Sequence, residues 1–127
     1  MHHNHKELKV WQKSIELAVE VYSATANFPN EEKFGLTSQI RRSSVSIPSN
    51  ISEGAGRSSS KDFARFLTIA HGSSYELETQ IIIANKLNLI SNEISGQILN
   101  KLSEVQKMNY KLKEVIESKL VKTVKKK

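Results

Sequence analysis

Apolar residues along this chain fall into four stretches with helical spacing. In the first, Leu8, Trp11, Ile15, Ala18 and Tyr22 recur at intervals of three and four, the signature of one helix face turned to a core. That helix should end near Ala26. Asn27 can take the left-handed conformation that closes a helix, and Pro29 prevents continuation. A second helix restarts near Leu36, with Ile40, Ser43, Ile47 and Asn50 or Ile51 inward. The third stretch has the cleanest pattern: Phe63, Leu67, Ala70, Ser74, Leu77, Ile81 and Ala84. Ser59 and Asp62, a capping-box-like pair, mark its start, and Asn88 closes it. Ser91 then caps a fourth helix whose seam is Ile98, Leu102, Val105, Asn109, Leu112 and Val115 or Ile116. No strand-like alternation competes, and the short loops make successive helices antiparallel neighbours. The expected fold is all-α, an antiparallel up-and-down four-helix bundle over residues 8–118. A flexible N-terminus, 1–7, precedes it and a basic tail, 119–127, follows.

The first helix carries a second stripe. Val10, Ser14, Leu17 and Val21 repeat at four, three and four, two positions out of phase with the first set. Two residues are about 200° around a helix, so this stripe is expected to face away from the core. Val10, Leu17 and Val21 are therefore read as an interface between subunits. The alternative is that neighbouring helices wrap both flanks.

The segment from Gln39 to Arg57 combines two arginines, a run of serines, Pro48 and a Gly-x-Gly. Pro48 has no N–H for the carbonyl of Ser44 and its ring crowds that turn, so the second helix is expected to kink there. Serines 43, 44, 46 and 49 offer hydroxyls to the freed carbonyls, and Gly54 is read as the helix stop. The Gly-x-Gly follows a helix and lacks the lysine of a Walker loop, so it reads as a turn. Beyond it, Arg57, Lys61 and Arg65 follow one another at intervals of four beside the N-terminus of the third helix, a secondary candidate for holding phosphate. Arg41 and Arg42 fall outside the inward phase and are candidates for a neighbouring subunit, for Glu76 or Glu78, or for a polyanion.

A chain of 127 residues is one domain and should bury roughly two thirds of the surface its unfolded form exposes. Its net charge of +6 changes the picture only when divided. Residues 101–127 hold nine lysines and three glutamates, whereas the first hundred balance ten cations against ten acids. Lys107, Lys111 and Lys113 lie outside the seam of the fourth helix, and Lys119 and Lys122 extend the same charge. Such asymmetry suits a polyanion partner, RNA or DNA or an acidic membrane surface; the alternative is a solvated helix face with a frayed lysine tail that only aids solubility. The apolar runs are far shorter than a membrane span and no signal-peptide pattern opens the chain, so a cytoplasmic protein without a membrane partner is expected. With no cysteine there is no disulfide, no thiolate catalysis and no Cys-ligated zinc. A carboxylate-bridged di-iron bundle needs two Glu-x-x-His motifs, but position 68, three before His71, is Thr68. No serine sits in a Gly-x-Ser-x-Gly elbow. No catalytic, metal or cofactor site is expected, and His71 reads as a packing residue.

The stretches "LKVWQKSIELAVEVY", "GLTSQIRRSSVSIPSNISEG" and "FARFLTIAHGSSYELETQIIIANKL" resemble the bacterial four-helix-bundle proteins encoded in intervening sequences of 23S rRNA genes. The likeness runs from Leu8 to Ile90, and the fourth helix matches in character. Where the family commonly shows alanine, this chain has Ser43, Ser44 and Ser52. The resemblance implies a ring of five bundles. It extends to the accessory variability proteins of diversity-generating retroelements, basic pentamers that bind nucleic acid and reverse transcriptase. Two functions are carried forward: a homo-oligomeric nucleic-acid-binding module, and a structural scaffold for a protein partner.

Overall fold

The computed structural model describes the backbone of residues 4–126 and the side chains of residues 4–119. Four helices account for most of it: α1 (Lys9–Thr25), α2 (Leu36–Ala55), α3 (Ser60–Lys86) and α4 (Asn92–Lys126). α1 packs on α2, α2 on α3 and α3 on α4, and α4 returns to α1, closing the four-membered bundle that the periodicity implied. No helix is long and apolar enough to cross a membrane among the described residues.

The α3 seam is as expected, with all seven of its residues buried. The caps that frame it follow the sequence. Ser59 accepts a hydrogen bond from the Asp62 N–H at 3.1 Å, and Ser91 does the same for Ile94 at the start of α4. Asn88 adopts φ 60°. The N–H of Leu89 donates to the Ala84 carbonyl and that of Asn88 to the Asn85 carbonyl. This is a Schellman closure with asparagine in the left-handed position usually held by glycine. On α4, Ile98, Leu102, Val105, Asn109 and Ile116 are buried, so the alternative at the last position resolves to Ile116, with Val115 exposed.

On α1 the expected phase is reversed. Val10, Ser14, Leu17, Val21 and Thr25 are at most 3% exposed, while Ile15, Val19 and Tyr22 lie on the outside at 38%, 61% and 44%. Val10, Leu17 and Val21 are thus core residues of their own bundle and not a surface between subunits. Both stripes have helical period, and period alone does not say which one faces in. The fold selects the stripe of smaller side chains, which lets α1 approach its neighbours closely. The bulkier stripe is divided: Leu8 and Trp11 are partly buried against the core, while Ile15 and Tyr22 are exposed.

Three local expectations also change. α1 ends at Thr25 with Ala26 as its C-cap, and Asn88 is the only non-glycine residue with positive φ among those described, so Asn27 does not close α1 by a left-handed turn. Gly54 does not stop α2, which continues to Ala55 with Gly56 as its cap. A Cβ on Gly54 would lie 2.7 Å from the Phe66 Cβ and 3.0 Å from the Phe63 ring. Glycine is needed there because α3 passes directly over that turn. Pro48 sits inside α2, buried, and removes the donor for the Ser44 carbonyl as expected. The nearby hydroxyls turn to other carbonyls, Ser43 to Ile40, Ser44 to Arg41 and Ser52 to Ser49.

Asn4 caps a 3-10 turn, His5–Glu7, and the His5 ring stands edge-on to Trp11 at 5.1 Å. α4 continues to Lys126, past the expected boundary at residue 118.

Candidate nucleic-acid interface

Lys107 and Lys111 of α4 line the cleft that this helix forms with α3, whereas Lys101 faces α1. Lys107 and Lys111 are exposed and Lys113 is half-buried beside the seam. None of the three forms an ion pair among the described residues. Elsewhere Lys13, Arg57, Arg65 and Lys101 are ion-paired, while Lys6, Lys9, Lys33, Arg42, Lys61 and Lys86 form no ion pair among the described residues. Lys101 contacts Glu20 at 2.8 Å and Glu16 at 3.7 Å, joining α4 to α1, and Lys13 reaches Glu104 across the same seam. The hydrogen bond to Glu20, followed by its charge and those of Glu16 and Glu104, outweighs burial and raises the Lys101 pKa. Lys119 is exposed further along α4, and the side chain of Lys122 lies outside the described residues.

The secondary patch at the start of α3 is self-satisfied. Arg57 pairs with Glu53 at 2.7 Å and Arg65 with Asp62 at 3.8 Å. Both guanidiniums lie over the ring of Phe66, at 4.9 and 4.5 Å from its centroid; all three cations of the row are exposed, and Lys61 is the one without an ion pair among the described residues. Arg41 turns inward to its own α1. It donates to the Thr25 hydroxyl at 2.9 Å, covers the Tyr22 ring at 4.5 Å and approaches the Tyr22 carbonyl, so it serves the last turn of α1 rather than Glu76 or Glu78. Arg42 lines a polar cleft between α2 and α3 with Gln39, Ser46, Glu76 and Gln80.

Sequence reading missed the aromatic part of the α3–α4 flank. His71, one turn before Tyr75 on α3, contacts both Tyr75 and Tyr110 of α4, and the three rings line one cleft. The His71 ring stands edge-on to Tyr75 at 4.9 Å and lies 6.4 Å from Tyr110. Together with Lys107, Lys111 and Glu114 these rings line a cleft of about 440 Å³. Burial, and then the charge of Lys113, hold the His71 pKa below its ordinary value, so the ring is neutral at pH 7. Buried Asn109 donates to the Leu67 carbonyl at 2.9 Å, one turn before His71. Two tyrosines off the seams of adjacent helices were the available signal, but only the packing of α4 on α3 brings them to one cleft.

The opposite flank is apolar. Trp11, Ile15, Val19 and Tyr22 of α1 face Val45 and Pro48 of α2 across a groove of about 510 Å³. The outer stripe of α1 expected from sequence therefore exists, built from the other set of residues. Among the described residues no group of three His, Asp or Glu side chains is placed to hold a metal ion.

These flanks belong to an all-α four-helix bundle, one of them basic and aromatic, the other apolar. The chain belongs to the 23S rRNA-intervening sequence protein family, whose model matches residues 6–111 and so takes in much of α4. It is similar to a solved structure, that of a protein of unknown function from the S23 ribosomal protein family of Bacteroides thetaiotaomicron VPI-5482. The two are 30% identical with a TM-score of 0.73, over 81% of this chain and 96% of that one. No curated protein matches the chain.

Proposed function

We propose that this chain is a non-catalytic, cytoplasmic, self-associating module that binds nucleic acid through the lysine face of α4. The observation that carries this reading is the segregation of charge. The whole net charge lies in residues 101–127, and Lys107, Lys111 and Lys113 have no acidic partner among the described residues, whereas Lys13, Lys101, Arg57 and Arg65 do. Self-association through the α1–α2 groove, in the ring of five that the family resemblance implies, would repeat this face around an axis and add avidity. The family's name points to 23S rRNA and the solved relative's to a ribosomal protein family, which makes an rRNA fragment the first probe.

The test is a titration of labelled RNA and DNA at several salt concentrations, on the parent and on Lys107→Glu/Lys111→Glu/Lys113→Glu. The parent should bind with a steep salt dependence. The variant should bind all sequences more weakly, with a salt slope flatter by about one unit per lost phosphate contact. A variant that binds like its parent places the interface elsewhere. A parent that binds nothing near physiological salt leaves the scaffold reading, for which the apolar groove with its half-exposed Trp11 is the supporting observation.

A further inference from the structure

The cleft between α3 and α4 differs from an ordinary lysine surface in its floor. Tyr75 and Tyr110 are 54% and 56% exposed, and the His71 ring contacts both of them. Lys107, Tyr110, Lys111 and Glu114 recur on one face of α4 at intervals of three, one and three, so the cations flank the ring on its outer side while Glu114 marks one end. A phosphate backbone is attracted to the lysines and repelled by Glu114, which defines where along the cleft a strand can run. The bases of a duplex are stacked on one another and offer no face to a protein ring. The bases of a single strand do, and aromatic side chains beside a cationic groove are the chemistry that recognises them.

We infer that His71, Tyr75 and Tyr110 form a stacking platform for the bases of single-stranded nucleic acid, with Lys107 and Lys111 holding the adjoining phosphates. This rests on the nucleic-acid reading above and adds to it the form of the ligand: unpaired nucleotides, in a loop, an end or a displaced strand. Sequence preference should be slight where stacking carries the affinity, because every base has a π face; any preference would come from Ser103, Gln106 or Glu114, which line the same cleft.

The experiment uses the full chain and three labelled probes of equal length: an oligouridine RNA, an oligothymidine DNA and a mixed-sequence duplex. Binding is followed by fluorescence anisotropy at several salt concentrations for the parent, Tyr75→Ala, Tyr110→Ala and Tyr75→Phe/Tyr110→Phe. Circular dichroism and light scattering are recorded for each. Each alanine variant should lose roughly 5- to 100-fold in affinity for the single strands. Its salt slope should be unchanged, because no phosphate contact is lost, and its duplex binding should equal that of the parent. The phenylalanine variant, which keeps both rings, should bind like the parent. Single-strand affinity unaffected by alanine, in a parent that does bind nucleic acid, overturns the platform and leaves the lysine face standing. Equal losses for duplex and single strand overturn it too, as does an alanine variant whose oligomer mass falls, since the rings then belong to a contact between copies. A parent that binds none of the probes overturns the nucleic-acid reading itself, and the platform with it.

Discussion

The two clefts of this bundle expose aromatic side chains in opposite chemical settings. Between α1 and α2, Trp11 and Tyr22 stand among Ile15, Val19, Val45 and Pro48, and the nearest cation, Arg41, is spent on the Tyr22 ring and the end of α1. Between α3 and α4, Tyr75 and Tyr110 stand among Lys107, Lys111 and Gln106. An apolar surface of the first kind is stabilised by being covered by another apolar surface. One of the second kind keeps its lysines hydrated until a polyanion releases their counterions. A bundle with these flanks on different sides can associate through one while presenting the other.

The comparison breaks most visibly on α1, where two apolar stripes serve different ends. Leu17 is fully buried and Val19, two positions on, is 61% exposed. Leu17→Glu puts an unpaired carboxylate into the core and should cost about 4 kcal/mol or more, enough to unfold a chain of ordinary stability. Val19→Glu should stay within about 1 kcal/mol of the parent, while lowering the oligomer mass in light scattering if the groove joins copies. Urea unfolding of both variants decides the matter. A folded, monomeric Leu17→Glu protein would return the interface to the Val10, Leu17 and Val21 stripe.

That reversal shows what a single sequence carries. The α3 seam was legible because one stripe of that helix runs apolar or small from Phe63 to Ala84 without interruption, and its caps are local chemistry that Ser59, Asn88 and Ser91 write directly. α1 has two stripes of equal period, and the choice between them depends on which side chains α2 and α4 supply. That information lies elsewhere in the chain. Gly54 reads as a stop for the same reason: nothing near it in sequence says that the Phe63 and Phe66 turns of α3 lie against it. The lysine face was legible as charge, because segregation along a helix survives any packing. The tyrosines were not, since Tyr75 and Tyr110 are 35 positions apart in the chain and come to line one cleft only through the packing of two antiparallel helices.

Asn109 sharpens the α3–α4 side of the comparison, because it is the buried polar side chain that hydrogen-bonds across these two helices, beside the more exposed Gln106–Glu78 pair. Its Nδ2 donates to the Leu67 carbonyl, while its Oδ1 is buried without a partner among the described residues. Asn109→Ala removes one cross-helix hydrogen bond and leaves a small cavity, together about 1–2 kcal/mol, offset in part by losing the unpaired oxygen. Single-strand binding should weaken with it if the platform depends on Tyr110 sitting beside His71. A variant as stable as the parent, with unchanged binding, would show that the rest of the packing fixes α4 on α3 without it.

The smallest effect is a pH dependence centred on His71. Its pKa is lowered from 6.5, first by burial and then by Lys113, with Lys107, Lys111 and Glu114 also lining the cleft and Tyr75 and Tyr110 adding no charge at neutral pH. The folded state therefore takes up this proton at lower pH than the unfolded state does. Below about 6.5 the unfolded chain binds the proton while the folded ring does not, so stability falls as the pH drops through that value, and the loss stops growing once the pH is below the folded pKa. Above 6.5 both states are neutral and the ring contributes no slope. His71→Gln keeps a polar side chain without the titration and should remove this part of the acid-side decline, while the carboxylates that titrate lower still remain. Lys113→Gln should reduce it only partly, because burial is the larger cause. Chemical unfolding between pH 5 and 8 on the three proteins measures the difference. Parallel curves for parent and His71→Gln would mean that the ring is as well solvated in the cleft as in the unfolded chain.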